Sequence, residues 1–211
     1  MTTTRLHAFD EIVKGRRSIR AYDKTVKISK EEMNEMIETA TLAPSSVNLQ
    51  PWRFLVIDSE EGKATLAPLA RFNQTQVETS AAMIVLFGDL HTVDYLEEIY
   101  GRAVELGFMP QEVKERQVKS IGAYYENMTA QELKETVLID GGLVAMQFML
   151  TARAHGYDTC PIGGFEKDQI AEAFGMDKDR YVPVMMISIG KAADEGYQSV
   201  RLPVDRITTW K

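Results

Sequence analysis

Gly15-Arg16-Arg17-Ser18-Ile19-Arg20 is the stretch around which the rest of this chain is organised. It concentrates three arginines in a chain whose formal net charge is −7. In an extended segment side chains alternate in direction, so Arg16, Ser18 and Arg20 would project to one side. Guanidinium groups match phosphate oxygens in a bidentate way. The stretch therefore predicts a site for a phosphate monoester, and a solvated basic turn after an opening helix is the alternative.

Composition sets the class of protein. The chain has 211 residues, of which 45% are hydrophobic and 26% charged, as in one soluble globular domain. Its acidic balance argues against a nucleic-acid partner, because the arginine cluster is too short to follow a nucleic-acid backbone. The N-terminal nine residues lack the apolar region of a secretory signal.

Cysteine and histidine usage argues against two kinds of site. The single cysteine, Cys160, excludes an intrachain disulfide and a cysteine-based zinc site, which favours a reducing cytoplasm. His7, His91 and His155 have no second ligand at metal-binding spacing, so we expect no metal.

Apolar periodicity and capping signals predict the secondary structure. Helices are expected over residues 6–15, from Ser29 to Pro44, and over 92–107, 110–128, 130–155 and 167–174. Continuous apolar runs predict three strands at 54–57, 83–87 and 182–189. The helices between 92 and 128 are charged and amphipathic, and we expect them to form an excursion from a single domain of residues 1–211.

The helix predicted from about Ala130 to His155 is apolar on nearly every face from Val137 to Leu150. Such a helix is buried in a large core or in an interface. A membrane span is not expected, because Asp140, Gln147 and Arg153 interrupt the apolar run. Each glycine of Gly141-Gly142 would destabilise the helix by about 1 kcal/mol relative to alanine. Close approach of another backbone, a flat ligand, or close helix–helix packing without a ligand would offset this cost. We expect this helix at a homodimer interface.

Two loops carry small polar groups. Pro44 to Trp52 contains serine, asparagine and glutamine between two prolines. Asp158 to Phe165 contains Gly163-Gly164 after Pro161 and is predicted to be a tight loop whose amides face a ligand or, equally, a plain turn. Cys160 is expected to be a small buried hydrophobe rather than a nucleophile. Lys191 and Arg201 could complete an anion site or be solvated.

Several catalytic and nucleotide-binding motifs are absent from the sequence. The chain has no Gly-x-Gly-x-x-Gly after a strand, no phosphate-binding P-loop, no Gly-x-Ser-x-Gly and no His-Glu-x-x-His. What it offers is cations for one phosphate, amides for a heteroaromatic ring and apolar walls. This combination indicates a protein that holds a cofactor and leaves the chemistry to it.

The order of these motifs closely resembles the FMN-dependent nitroreductase family over essentially the whole chain. The resemblance rests on Arg16 to Arg20, Pro44 to Trp52, Cys160 to Phe165 and the terminal Arg201-Leu202-Pro203. It implies an α+β fold with a central, mainly antiparallel sheet wrapped by helices. It also implies an intertwined homodimer with FMN sites in the interface and C-terminal segments crossing to the partner.

The resemblance implies a role for each matching residue. Contacts to the FMN phosphate, or to its ribityl and pyrimidine side, are implied for Arg16, Arg17, Ser18, Arg20 and Arg201. The other subunit is implied to contribute Pro44, Ser45, Ser46 and Asn48. Polar contacts near the ribityl chain and ring are implied for Gln50, Asn73 and Gln76. One ring face is implied to be lined by Pro161, Ile162, Gly163 and Gly164, with an amide of this loop pointing at flavin N5.

Three positions depart from the family pattern. Many members carry glutamate where Gly163 stands and lysine where Gln76 stands. The loss of that lysine is expected to change the redox potential rather than abolish binding, because Gln76 still donates a hydrogen bond. Ser199 stands where the tail would carry a second cation, and Lys191 is the candidate replacement.

The resemblance implies ping-pong chemistry. NADH or NADPH would pass hydride to flavin N5, and a nitroaromatic, quinone or similar electron-poor small molecule would then be reduced, with no catalytic side chain required. Phe108, Tyr124 and Tyr125 would either cover the pocket or belong to the core. The alternatives are a flavin-binding redox sensor or store without turnover, and a specialised member such as a dehalogenase or ring dehydrogenase.

Overall fold

The computed structural model describes the backbone of residues 2–211 and the side chains of residues 9–211, so the Leu6 side chain lies outside the described part. The strands are β1 Trp52–Ile57, β2 Ala82–Asp89, β3 Asp158–Ile162 and β4 Tyr181–Gly190. The helices are α1 Thr2–Gly15, α2 Lys30–Ala40, α3 Glu60–Leu66, α4 Gln74–Thr79, α5 Leu96–Glu105, α6 Gln111–Glu126, α7 Ala130–Ala154 and α8 Lys167–Ala173. Short 3-10 turns lie at Ser46–Asn48, Ala67–Leu69, Thr92–Tyr95 and Val204–Arg206.

The four strands form one sheet in the order β1-β2-β4-β3. Every neighbouring pair is antiparallel, with Trp52 opposite Gly88 and Ala82 opposite Ile189. A bulge shifts the register between Leu86 and Phe87. The α+β class with an antiparallel central sheet is therefore confirmed.

Helices cover both faces of the sheet. On one face α2 and α7 bury Met36 and Phe148 against Ile187. On the other face α3 and α8 contribute Leu66 and Ile170, which are both 0% exposed. Each such side chain contributes about 1.5–3 kcal/mol when fully buried, so both layers fix the positions of the strand ends.

The tight loop predicted from Asp158 is wrong, because residues 158–162 form strand β3. The strand is short and contains Pro161, which lacks an amide hydrogen and so weakens the strand signal. Proline is compatible with an edge strand, and β3 is the last strand of the sheet. Gly163 and Gly164 follow the strand end and connect it to α8.

Helix α7 packs against the sheet with one face only. A Cβ atom at Gly141 would lie 2.7 Å from Val184 Cγ2, so this glycine permits close packing without any ligand. Ile139, Leu143 and Met146 lie on the outer face and are 40–65% exposed. In length and composition α7 could cross a membrane despite its polar residues. Half of its most apolar stretch is nevertheless buried in the protomer, as in a core helix.

The capping pair Ser29 and Glu32 predicted the start of α2 correctly, whereas the cap of α7 emerges only from the structure. Ser29 is the N-cap of α2, and its Oγ accepts a hydrogen bond from the Glu32 amide at 3.1 Å. Thr129 and Glu132 form a reciprocal capping box at the start of α7. The short helices α3 and α4 were not predicted, whereas α5 and α6 occupy the segment predicted to be helical between 92 and 128.

A buried ion cluster lies where the chain leaves β2 for α5 and α6. Asp89 is 0% exposed and accepts from Arg53 Nη2 at 3.0 Å and from Arg180 Nε and Nη2 at 2.8 and 2.9 Å. Arg180 also pairs with Asp94 at 3.2 Å. The Arg53 guanidinium lies 4.4 Å from the centre of the Tyr95 ring. This cluster ties the end of β2 to the first turn of the excursion.

Candidate functional site

The segment after α1 is fixed alongside β3. Ser18 forms a parallel bridge with Thr159, and the Ile19 amide donates to the Thr159 carbonyl at 3.1 Å. Ile19 is 2% exposed, so the neighbouring side chains of Ser18 and Arg20 point away from the core. The Tyr22 hydroxyl donates to the Ile19 carbonyl at 2.7 Å, and burial raises the pKa of Tyr22, which keeps the phenol protonated.

Arg16 has an unusual environment. Its Nη1 atom is buried and has no hydrogen-bond partner among the described residues. A buried guanidinium donor without a partner costs about 1–3 kcal/mol or more. This donor is therefore free to bind an acceptor outside the described residues.

The other two arginines use their donors within the chain. Arg17 Nη1 donates to the Lys14 and Arg16 carbonyls at 2.8 and 2.9 Å. Arg20 Nη1 donates to the Ser18 carbonyl at 3.2 Å, and its side chain is otherwise exposed. Arg17 therefore stabilises the shape of the segment, while Arg20 keeps other donors available.

Cys160 lies at the inner edge of this cluster. The side chain is 4% exposed, and burial raises the pKa of its thiol, while Arg20 and Arg16 shift that pKa in the opposite direction. Hydrogen-bonding contacts with Ser18 and Gln76 also lower it. The protonated, buried thiol fits the predicted role of a small hydrophobe.

A chain of hydrogen bonds joins Gln76 to the loop after β3. Gln76 Nε2 donates to Asn73 Oδ1 at 3.1 Å, and Asn73 Nδ2 donates to the Gly164 carbonyl at 3.1 Å. A Cβ atom at Gly163 or Gly164 would meet nothing within 4 Å, so the space beside this loop is open. The structure thus brings this loop together with the arginine segment through Cys160.

Pro44 to Gln50 forms a second, strained group. Val47, Asn48 and Gln50 have φ values of 43°, 57° and 49°. Positive φ is a genuine outlier for a β-branched residue such as Val47, and strain of this kind persists only where surrounding contacts impose it. Ser45 contributes one contact within the loop, because its Oγ accepts the Gln50 amide at 3.0 Å.

Five side chains from other elements hold this loop. The Ser46 amide donates to the Asp140 carboxylate at 3.0 and 3.2 Å. The Tyr125 hydroxyl donates to Ser46 Oγ at 3.1 Å, and the Thr92 hydroxyl donates to the Leu49 carbonyl at 3.0 Å. Further hydrogen bonds come from Tyr100 to the Val47 carbonyl and from Arg53 to the Gln50 carbonyl.

The two groups contact α7 at separate points in one protomer, residues 44–50 near its middle and the arginine segment near its C-terminal end. Asp140 contacts Ser46, whereas Arg153 lies against Gly15, next to the arginine segment. Asp140 and Arg153 are thirteen positions apart on α7. At the helical rise this is about 20 Å. Within the described residues no hydrogen bond joins residues 44–50 to Arg16, Gln76 or Gly163.

The two candidate cations of the tail differ in environment. Lys191 Nζ donates to the Gly156 carbonyl and lies 4.7 Å from the centre of the Tyr157 ring, so it is engaged at the C-terminal end of α7. Arg201 is exposed and donates to Ser199 Oγ at 2.9 Å. The tail reaches the arginine segment through Gln198 Oε1, which lies 3.4 Å from Arg17 Nη2.

Sequence reasoning did not assign the residues that hold the 44–50 loop. Asp140 was visible as a lone carboxylate in an apolar helix, and that pattern could have indicated a buried functional contact. Arg53, Thr92 and Tyr100 carried no local signal. Within the described residues no group of three or more potential metal ligands occurs.

Comparison with known proteins finds relatives along most of the chain. The Nitroreductase family pattern matches residues 13–191. YdgI of Bacillus subtilis, named for an inferred NAD(P)H nitroreductase activity, is 70% identical over 203 residues, which are 96% of this chain and 97% of YdgI. The CLA biosynthesis enone reductase of Lactiplantibacillus plantarum is 36% identical over 192 residues, covering 90% of this chain and 88% of that protein.

A solved structure extends the similarity to the fold. An inferred nitroreductase from Exiguobacterium sibiricum, crystallised in complex with FMN, has a TM-score of 0.95 and 72% identity, covering 96% of this chain and 97% of that one. The family match covers most of the chain, and the relatives match along nearly their whole length. The chain belongs to the nitroreductase family.

Proposed function

We propose that this chain is an FMN-dependent NAD(P)H oxidoreductase that acts as a homodimer with two flavin sites in its interface. The observation that carries the proposal is the buried, unpartnered Nη1 of Arg16 beside Ser18 and Arg20. A phosphate monoester supplies the oxygens that this donor lacks. The FMN complex of the relative from Exiguobacterium sibiricum supports FMN as the carrier of this phosphate.

Residues from two protomers would complete each site. The phosphate would be held by Arg16, Ser18, Arg20 and Arg201, with Arg17 holding the segment in shape. The ribityl chain and ring would contact Asn73, Gln76, Pro161, Ile162, Gly163 and Gly164. The second protomer would contribute Pro44, Ser45, Ser46, Asn48 and Gln50. Lys191 is a weaker candidate, because its ammonium already binds the Gly156 carbonyl.

When bound, FMN would accept hydride from NADH or NADPH and then donate electrons to a second substrate, in ping-pong order. The chain's own contribution is orientation and electrostatics. Asn73 fixes the Gln76 amide, and the amides near Gly163 lie beside open space. In this proposal residues 1–211 are one domain, and the helices at about 92–128 cover the pocket with the exposed Phe108 and Tyr124.

Apolar side chains exposed in the protomer support the dimer. Ile139, Leu143 and Met146 form a stripe on the outer face of α7 at spacings of three and four residues. In the C-terminal tail Val200, Leu202, Val204, Ile207 and Trp210 are 68–95% exposed. Patches of this kind mark interaction surfaces. A second protomer covering them would also bring its 44–50 loop to the arginine segment.

Leu143→Glu is expected to convert the dimer to monomers and to lower flavin occupancy with it, because a carboxylate would be buried in an apolar interface. Light scattering checks the mass against 23.8 kDa for one chain. Glu61→Gln on the exposed surface of α3, which covers the opposite face of the sheet, is the control and should remain dimeric. A Leu143→Glu protein that is dimeric with full flavin would contradict the proposed interface.

Gln76→Lys is expected to raise the flavin midpoint potential, because a cation near the ring stabilises the negative charge of the reduced form. Spectroelectrochemical titration measures the shift. Gln76→Glu should shift the potential in the opposite direction and serves as the matched control. Equal potentials in the three proteins would remove Gln76 from the ring environment.

The direct test of the proposed function is a titration of apoprotein with FMN, followed by steady-state oxidation of NADH and NADPH with menadione or nitrofurazone. Bound flavin with turnover supports the enzyme. Bound flavin without turnover would indicate a redox sensor or store.

The free, buried Cys160 supports a cytoplasmic location.

Enones are a second candidate acceptor class. The relative from Lactiplantibacillus plantarum is named an enone reductase, and an enone is an electron-poor acceptor like a quinone or a nitroaromatic. A substrate panel that includes α,β-unsaturated ketones separates these classes. Dehalogenation and ring dehydrogenation have no specific support from the described pocket residues.

A further inference from the structure

Asp140 is a buried carboxylate without a cationic partner. It is 5% exposed, lies on α7 between Val137 and Val144, and forms no ion pair with the described side chains. Its described hydrogen-bond donor is the Ser46 amide, which contacts both carboxylate oxygens. Burial raises the pKa of Asp140 and the Ser46 amide lowers it. Burying a charge in this way is costly, so a purely structural helix would favour an apolar residue here.

The residue that Asp140 holds begins the strained turn. Ser46 directly precedes Val47 and Asn48, whose φ values are 43° and 57°. One hydrogen bond to a buried charged acceptor stabilises a neighbouring conformation more strongly than a neutral bond does. The carboxylate therefore fixes the point at which the chain enters the left-handed conformation.

A second contact determines what Ser46 offers to a ligand. The Tyr125 hydroxyl donates to Ser46 Oγ at 3.1 Å. Burial raises the pKa of Tyr125, so the phenol remains a donor at neutral pH. A hydroxyl has one donor and two acceptor positions, so Ser46 Oγ keeps hydrogen-bonding capacity for a group outside the loop.

We infer that Asp140 is a positioning residue of the flavin site, which holds the Ser46 amide so that the strained 44–50 loop presents the Ser46 hydroxyl to the FMN bound by the second protomer. The inference rests on the proposed function, since it requires a flavin in the dimer interface. Asp140 itself does not touch the cofactor. Its effect passes through the backbone of Ser46.

The test compares FMN binding by four folded proteins well below their unfolding temperatures. Asp140→Leu keeps the approximate size but removes both acceptors, and its Kd for FMN is expected to rise about tenfold. Asp140→Asn keeps one acceptor oxygen and should stay within about threefold of the wild type. Gln147→Leu removes a hydrogen bond from the same helix to the Thr39 carbonyl, away from the loop, and should leave Kd unchanged.

The outcomes separate this inference from the proposed function. A wild-type protein that binds no FMN contradicts the proposed function. A wild type that binds FMN, with Asp140→Leu folded and equally tight, overturns the positioning role. Loss of affinity in Asp140→Leu with rescue in Asp140→Asn supports it, because a change in stability alone would not alter the Kd of the folded protein.

A measurement on the wild-type apoprotein keeps the inference testable if Asp140→Leu does not fold. Hydrogen exchange at the Ser46 amide should be strongly slowed, because a buried carboxylate accepts its hydrogen. Exchange at the rate of an unprotected loop would overturn the inference.

Discussion

Arg16→Ala is expected to raise the Kd for FMN by about a hundredfold, the largest loss of affinity that any single substitution in this chain should cause. A guanidinium fork makes two charge-assisted bonds to a phosphate, and their loss corresponds to about 3 kcal/mol. Arg16 Nη1 has no hydrogen-bond partner among the described residues, so this donor is free to bind the phosphate. Quenching of free FMN fluorescence during titration measures the change.

Two further variants separate charge from geometry at this position. Arg16→Lys keeps the charge but loses the fork, so an increase in Kd of about tenfold is expected. Arg102→Ala removes an exposed arginine that pairs with Glu105 and should leave Kd unchanged. An Arg16→Ala protein that purifies with full flavin would refute the phosphate-binding role.

Asp89→Asn is expected to lower the free energy of unfolding by about 3 kcal/mol, because two arginines would lose the buried charge that they share. Arg53 and Arg180 are 28% and 22% exposed in their side chains, which places the cost at the lower end of the range for buried pairs. For a chain of this length the loss corresponds to a Tm lower by about 6–12 °C. Thermal unfolding followed by circular dichroism measures it.

Glu105→Gln is the matched control for Asp89→Asn. It breaks the pair with Arg102, whose two side chains are 65% and 66% exposed. Exposed pairs contribute about 0–1 kcal/mol, so Tm should change by less than about 4 °C. Similar shifts in the two variants would mean that burial of Asp89 adds nothing to the strength of its ion pairs.

The parts of the fold that follow local patterns could be predicted from the sequence. The apolar runs that became β1, β2 and β4 are largely buried, and a short continuous apolar run is typical of such strands. Alternation also predicted the direction of side chains around Ile19, which is buried while Arg20 is exposed. Strand β3 was missed because it contains Pro161. Proline has no backbone N–H to donate, so it is tolerated in an edge strand but argues against a strand when only the sequence is known.

The parts that depend on distant contacts could not be predicted. The bond between Ser46 and Asp140 joins residues 94 positions apart, and the pair of Asp89 and Arg180 spans 91 positions. Neither sequence neighbourhood encodes its partner. Positive φ at Val47 is likewise imposed by the surrounding contacts, since valine itself disfavours it.

Pro161 also affects how copies of this protein behave at high concentration. A bare strand edge invites pairing with another molecule, and long exposed edges lead to aggregation. On β3 the Ser18 segment already occupies the outer side at Thr159, and two residues later the proline has no hydrogen to donate. This side of the sheet is therefore a poor template for a foreign strand, which lowers the risk of edge-to-edge aggregation.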